Sequence, residues 1–300
     1  MGNRTTGVYF LVILSMFFWG MTFVWTKVVL TYWNPITIIL FRLIVSSAIL
    51  YAFIRLFRRA EPIAREDYGL FLLSALFNPF FYFIGENYGV KFSSPTVSAV
   101  IIATIPVFTA IAARFTYNER LTVFNTIGMI LSLGGIGVML SGPDLSFEAS
   151  SKGIAWLGLA VISAVFYALV LKKLTVKYRS VTIVATQNFI GIFFFLPFFF
   201  LFDYPQFIAT PITKELITNL LQLAVFGSSL AFIFFTIGTR ELGVSRTNLF
   251  SNLIPFFTAI TSFILLKESF STLKILGMLT VIIGVFMSQF RRTRITPPMT

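Results

Sequence analysis

The chain contains no cysteine and no histidine, and only 11% of its 300 residues are charged. Without those two residues there are no disulfides, no usual zinc or iron sites, no Ser/His or Cys/His nucleophiles and no imidazole proton relays. Most enzyme classes fall away, and neither a cofactor nor a metal is expected. The low charge excludes a soluble domain, since 57% of residues are apolar, 38 residues are Phe, and only 11 are acidic. A water-soluble chain of this length needs far more charge to cover its surface, so the solvent must be lipid. Acids are the scarcer sign, 11 against 23 Lys and Arg, for a net charge of +12. On a soluble protein that excess points to nucleic acid, whereas on a membrane chain loop charge sets topology and no nucleic-acid partner is expected.

Segments long enough to span a bilayer, about 20 mostly apolar residues each, recur between short polar breaks. Ten are expected, at 8–29, 35–57, 69–89, 94–115, 121–141, 152–172, 181–202, 216–239, 243–266 and 270–290. Turn chemistry marks the breaks at Asn34-Pro35, Gly142-Pro143-Asp144, the stretch from Asp203 to Pro211, and Glu241-Leu242-Gly243. Arg4 ahead of the run from Val8 resembles a secretory signal, but no small-residue cleavage site follows, so the first span is expected to be retained. Placing the N-terminus inside puts sixteen cations in cytoplasmic segments, with clusters at Arg55 to Arg65, Lys172 to Arg179 and Arg291 to Arg294. Six lysines then lie outside: Lys27, Lys91, Lys152, Lys214, Lys267 and Lys274. Cations accumulate on the cytoplasmic side, so both termini are expected there, in a membrane crossed many times.

Sliding the chain against itself by 149 residues lays Ile105-Pro106-Val107-Phe108-Thr109-Ala110-Ile111 on Ile254-Pro255-Phe256-Phe257-Thr258-Ala259-Ile260. Glu119 then falls on Glu268, Gly128-Met129 on Gly277-Met278, and Gly135 on Gly284. The expected fold is therefore all-α: ten transmembrane helices in two five-helix repeats, 1–141 and 152–290, followed by a basic tail at 291–300. Five is odd, so the second repeat is inverted in the membrane, and in that class the substrate site lies near the midplane between the halves.

These residues also carry a family resemblance. Phe18-Trp19-Gly20, Pro35 with Arg42, Glu86-Asn87-Tyr88-Gly89 leading to Ile105-Pro106-Val107-Phe108, and Leu253-Ile254-Pro255 with Lys267-Glu268 resemble the drug/metabolite transporter superfamily, in its EamA-type ten-helix permeases. The resemblance runs over about residues 8–290. It implies a secondary carrier of small organic solutes, often an exporter of amino acids or other metabolites, with a central cavity lined by spans 1, 3, 4, 6, 8 and 9. Small multidrug members of the superfamily use an acid inside their first span. This chain has none there, so coupling through that position is excluded.

Polar side chains in a bilayer turn toward protein or water, so polar stripes at helical spacing mark inner faces. They run through Ser15, Trp19, Thr22 and Thr26 in span 1, and through Ser74, Asn78, Tyr82 and Glu86 in span 3. Span 6 offers Trp156, Ser163 and Tyr167; span 8 Ser229, Thr236 and Arg240; span 9 Asn248, Asn252 and Ser262. The expected substrate cavity comprises Trp19, Thr22, Asn78, Tyr82, Tyr167, Ser229, Asn248 and Asn252, with aromatic packing and helix-to-helix hydrogen bonding as the plainer roles of the same residues. Lys27, Arg42 and Glu86 are the charged candidates, able to meet in the outer half of the first repeat. Arg42 either pairs with Glu86 to lock the spans or binds a substrate anion while Glu86 takes an amine or a coupling proton. Pro106 and Pro255 lie in matching spans as hinges or static kinks, Gly128, Gly135, Gly277 and Gly284 permit close helix packing, and Glu119 and Glu268 read as interfacial caps.

The expected function is alternating-access transport of a small organic molecule, with amino-acid or related metabolite export the first choice and a sugar or sugar-phosphate carrier the second. A channel or lipid flippase is the rival class. Partners are the solute, the bilayer and, if transport is coupled, protons; the sequence leaves substrate, coupling ion, direction and the choice between monomer and homodimer open.

Overall fold

The computed structural model describes residues 2–59, 61–117, 122–140, 150–243, 247 and 250–288. They form helices and no strand. We number the helices α1 (Gly2–Val29), α2 (Pro35–Leu56), α3 (Arg65–Phe92), α4 (Pro95–Ile102), α5 (Ile105–Tyr117), α6 (Val123–Leu140) and α7 (Ser151–Lys177). There follow α8 (Ser180–Ala209), α9 (Lys214–Leu242), α10 (Leu253–Leu266) and α11 (Thr272–Ser288). Six of these, α1, α2, α3, α7, α8 and α9, are long and apolar enough to cross a membrane. Shorter apolar helices of 10–17 residues occupy Pro95–Thr109, Val123–Met139, Phe250–Leu266 and Thr272–Met287.

Local chemistry sets the ends. Pro35 and Pro95 open α2 and α4 in the first turn, where a missing N–H costs nothing. Ser94 and Thr213 accept hydrogen bonds from the backbone amides of Val97 and Leu216 as N-caps of α4 and α9. Gly243, at φ 85°, ends α9 in a conformation that L side chains rarely adopt. The outer surface is greasy: Leu56, Val176 and Leu201 are 78%, 84% and 72% exposed. Such a surface belongs against lipid tails.

Three departures from the expected spans matter. Helix α8 continues through Asp203 to Ala209 rather than breaking there, and Asp203 is buried, its Oδ2 accepting from the Thr37 amide (3.0 Å) and hydroxyl (3.1 Å) at the start of α2. The fourth expected span is broken at Ala103-Thr104, so Pro106 stands in the first turn of α5; Pro255 likewise stands in the first turn of α10, behind a 3-10 turn at Phe250–Asn252. Neither proline interrupts a continuous helix. Widened turns of π type appear instead at Leu76–Phe81 in α3, at Phe199–Asp203 in α8 and at Leu223–Leu230 in α9.

Packing is paired. Helix α6 lies along α11, where an added Cβ on Gly135 would meet the Val281 backbone nitrogen at 2.7 Å, so the close approach expected of these glycines is present. Contact of α1 with α9 is matched by α7 with α3, α1 with α10 by α7 with α4 and α5, and α2 with α9 by α8 with α3. Trp19, Tyr82 and Phe235 pack against both of the two larger core clusters, at the seam between them.

Candidate functional site

Along α3, Ser74, Asn78, Tyr82 and Glu86 recur every four residues and so share one face. That face turns inward. Ser74, Asn78 and Glu86 are buried and Tyr82 is half-buried. At Asn78 the backbone leaves helical dihedrals (φ −144°, ψ 116°), and Pro79 supplies no amide hydrogen. The Phe77 carbonyl at this break accepts from the Tyr82 amide and from the Ser163 hydroxyl of α7, the latter at 2.7 Å. Asn78 Oδ1 is buried without a hydrogen bond.

Arg42, on α2, is 1% exposed. Placing a cation at such depth costs roughly 2.5–3.5 kcal/mol on insertion scales, so it must be met by partners. Nε donates to Ser228 Oγ at 2.8 Å, the guanidinium carbon stands 4.2 Å over the Phe83 ring, and Nη1 lies 3.9 Å from Glu86 Oε2. Nη1 makes no hydrogen bond. Glu86 Oε1 accepts from the Tyr82 hydroxyl at 3.1 Å. The widened turn of α9 presents Ser228, and Gly227 beside it leaves room for the guanidinium: a Cβ there would stand 3.2 Å from Arg42 Nη2 and 2.5 Å from a Thr22 methyl.

The network spreads across five helices, α2, α3, α7, α8 and α9. Ser46 on α2 shares a 2.7 Å hydrogen bond with Ser229 and accepts from Asn188 Nδ2 on α8 at 2.9 Å; Asn188 also donates to the Ser228 carbonyl. Next to Asn188, Gln187 accepts from Ser74 at 3.2 Å and pairs with the Tyr167 hydroxyl at 3.2–3.3 Å. Two buried polar clusters thus share α3 and α8, and Tyr82, Tyr167, Ser229, Arg42 and Glu86 all belong to them.

The other expected site residues lie elsewhere. Lys27 does not join Arg42 and Glu86; its ammonium donates to the carbonyls of Val90 (2.9 Å) and Ser93 (2.8 Å) and so caps the negative end of α3. Trp19 packs edge-on against Phe232 and tilted on Phe235, and Thr22 bonds to the Trp19 carbonyl of its own helix. Asn252 is buried with neither side-chain polar atom partnered. Glu268 accepts from Thr96 at the start of α4 (2.9 Å), as an interfacial cap does. Asn248 and Glu119 lie outside the described residues.

Sequence reasoning missed Gln187, Asn188, Ser228, Phe83 and the burial of Asp203. Two adjacent amides inside the apolar run of α8 were a readable signal, because each needs several partners in lipid. Phe83 carried none among 38 Phe. At one end of the molecule, Asp67 Oδ2 accepts from the Tyr178 hydroxyl at 2.7 Å and Lys177 lies 3.0 Å from Oδ1. The Asp67 hydrogen bond, followed by burial, pushes the Tyr178 hydroxyl above the usual phenol range. A hollow of about 570 Å3 opens beside Tyr178, bordered by Glu61, Lys172, Thr239 and Arg240.

Comparison with known proteins follows the same lines. Residues 6–141 and again 151–290 match the EamA-like transporter family. The uncharacterized transporter YetK of Bacillus subtilis is 24% identical across 84% of this chain and 77% of its own length. YvbV of the same organism is 28% identical over 92% and 88%, and an uncharacterized transporter of Archaeoglobus fulgidus 25% over 93% and 96%. A crystal structure 14% identical in sequence superposes with a TM-score of 0.69 over 94% of this chain and 98% of its own, a likeness of fold. With six helices fit to cross a bilayer and two family matches that together span nearly its whole length, this multi-pass membrane protein belongs to the EamA-like transporter family.

Proposed function

We propose that the chain is a secondary carrier of small zwitterionic solutes, amino acids or related metabolites, working by alternating access between two inverted five-helix repeats, 1–141 and 152–290. The observation that carries the substrate class is the pair Arg42 and Glu86. Opposite charges are buried 3.9 Å apart, and the cation's Nη1 makes no hydrogen bond. A carboxylate and an ammonium on one small molecule can replace each charge for the other, at Arg42 and Glu86 respectively, which a neutral sugar cannot do. The aromatic rings of Tyr82 and Phe83 at this pair suit the apolar part of such a solute.

The repeat reading is supported by the matched helix contacts, by two separate family matches, and by widened turns that recur at equivalent places, Leu76–Phe81 and Leu223–Leu230. Six long and four shorter apolar helices agree with ten crossings. The interruptions before Pro106 and Pro255 fall in matching positions and serve as hinges of the two halves. The loop cations support a topology with both termini on the cytoplasmic side, and export from the cytoplasm is the direction that the family resemblance implies. Lys27 spends its donors on helix carbonyls, which weighs against a sugar phosphate bound between Lys27 and Arg42.

Counterflow tests this reading. Proteoliposomes loaded with an unlabelled amino acid should draw in the labelled form against its gradient, saturably, and Arg42→Gln should abolish the exchange. Counterflow with sugar phosphates alone, or flux that never saturates, overturns it.

A further inference from the structure

We infer that Tyr178 with Asp67, and Tyr32 with Glu215, are matched latches that close opposite ends of the carrier, the Tyr178 latch being the firmer. The inference rests on the alternating-access reading above. Tyr32 lies just beyond α1 and donates to Glu215 Oε2 at 2.6 Å; Tyr178 lies just beyond α7 and donates to Asp67 Oδ2 at 2.7 Å. Glu215 is in the first turn of α9 and Asp67 in the first turn of α3. At the far ends of the same two helices, Lys91 donates to Asn34 Oδ1 at 2.8 Å, and Arg240 donates to the Tyr178 and Thr175 carbonyls. The tyrosines, acids and cations are separated in the chain by 146, 148 and 149 residues. Each end is therefore built alike. The segment leaving α1 or α7 is gripped by a carboxylate from the start of one helix and a cation from the end of the other.

Because Asp67 opens α3 and Lys91 closes it, the latches lie at opposite ends of a helix about 40 Å long. Alternating access requires a barrier at each end that opens while the other holds. The two differ in strength. Tyr178 and Asp67 are buried, Lys177 adds contacts of 3.0 and 3.1 Å to both carboxylate oxygens, and the Ala64 amide donates to the Tyr178 hydroxyl at 3.1 Å. Glu215 is exposed, and its bond with Tyr32 competes with water. The resting carrier accordingly keeps the Tyr178 end shut and opens first at the Tyr32 end. The hollow beside Tyr178 gives that ring room to swing when its turn comes.

The absence of native cysteine makes the test clean. Asn252→Cys places a thiol at a buried position whose side chain has no hydrogen bond to lose. Right-side-out and inside-out membrane vesicles are then treated with a charged, impermeant maleimide. Tyr178→Phe, which keeps the ring packed on Phe71, should raise labelling from the Tyr178 face about 3- to 10-fold, the shift one net hydrogen bond supplies to a two-state equilibrium. Asp67→Asn should act in the same direction. Tyr32→Phe should raise labelling from the opposite face by about 2-fold, the low end of the same range. Labelling that proceeds but ignores the Tyr178 and Asp67 substitutions overturns the latches and leaves the carrier reading intact. A thiol that labels from neither face in any variant overturns both.

Discussion

Glu86 Oε2 stands 3.9 Å from Arg42 Nη1, both side chains are buried, and Nη1 makes no hydrogen bond. Removing one partner of a buried pair leaves an uncompensated charge and costs about 3–5 kcal/mol, whereas replacing both by apolar residues is often neutral. Arg42→Met or Glu86→Leu alone should therefore destabilise the detergent-solubilised protein by about that much, and the double variant should recover most of it. Counterflow should be absent from all three. A double variant that regains both stability and exchange means the pair only holds helices together.

Lys27 separates a staple from a ligand. Its two hydrogen bonds reach the backbone at the end of α3, and charge-assisted bonds of this type contribute about 1.5–3 kcal/mol. Lys27→Met is expected to lower unfolding stability within that range while leaving the KM of the remaining exchange unchanged. A sharply raised KM at unchanged stability assigns the lysine to substrate instead.

What the sequence disclosed followed from periodicity and composition. The stripe Ser74, Asn78, Tyr82, Glu86 could be read because lipid forces a four-residue rhythm of polar groups to turn inward, and the structure buries it. The 149-residue register was readable because Pro, Gly and acidic residues recur in the same order. Depth was not readable from loop position. Asp203 looked like a turn residue because prolines follow it, yet α8 passes through it in a widened turn of π type at Phe199–Asp203, and Pro205 stands just beyond that turn. Lys27 shared a membrane depth with Arg42 and Glu86, but depth says nothing about azimuth, and its long stem reaches the α3 carbonyls rather than the acid. Ser228 met Arg42 only because the widened turn of α9 rotates it inward, and no residue type announces such a turn.

Ser163 tests the break in α3. Its hydroxyl donates to the Phe77 carbonyl, 2.7 Å away across the interface between α7 and α3, beside the bond that carbonyl accepts from the Tyr82 amide. Ser163→Ala removes one of that carbonyl's two hydrogen bonds, the Tyr82 amide keeping the other, at a cost of about 0.5–1.5 kcal/mol. Thermal unfolding should register the loss, and Ser163→Thr, which retains the hydroxyl, should restore part of it. Equal stability of the alanine and threonine variants means the Tyr82 amide alone satisfies the carbonyl.

The pairing of α6 with α11 makes two glycines on different helices behave oppositely. A Cβ at Gly284 would press on the Ser132 backbone nitrogen and stand 2.7 Å from the Gly128 carbonyl oxygen, and backbone cannot rotate aside as a side chain can. Gly284→Ala should force the helices apart and cost about 1–3 kcal/mol. At Gly158 on α7 nothing lies within 4 Å of the same added atom. There alanine only reduces the freedom of the unfolded chain, and Gly158→Ala should stabilise by up to about 1 kcal/mol. Melting curves of the two variants in one detergent should therefore move in opposite directions. If Gly284→Ala melts no lower than Gly158→Ala, the backbones of α6 and α11 do not approach as closely as Gly135 and Gly284 require.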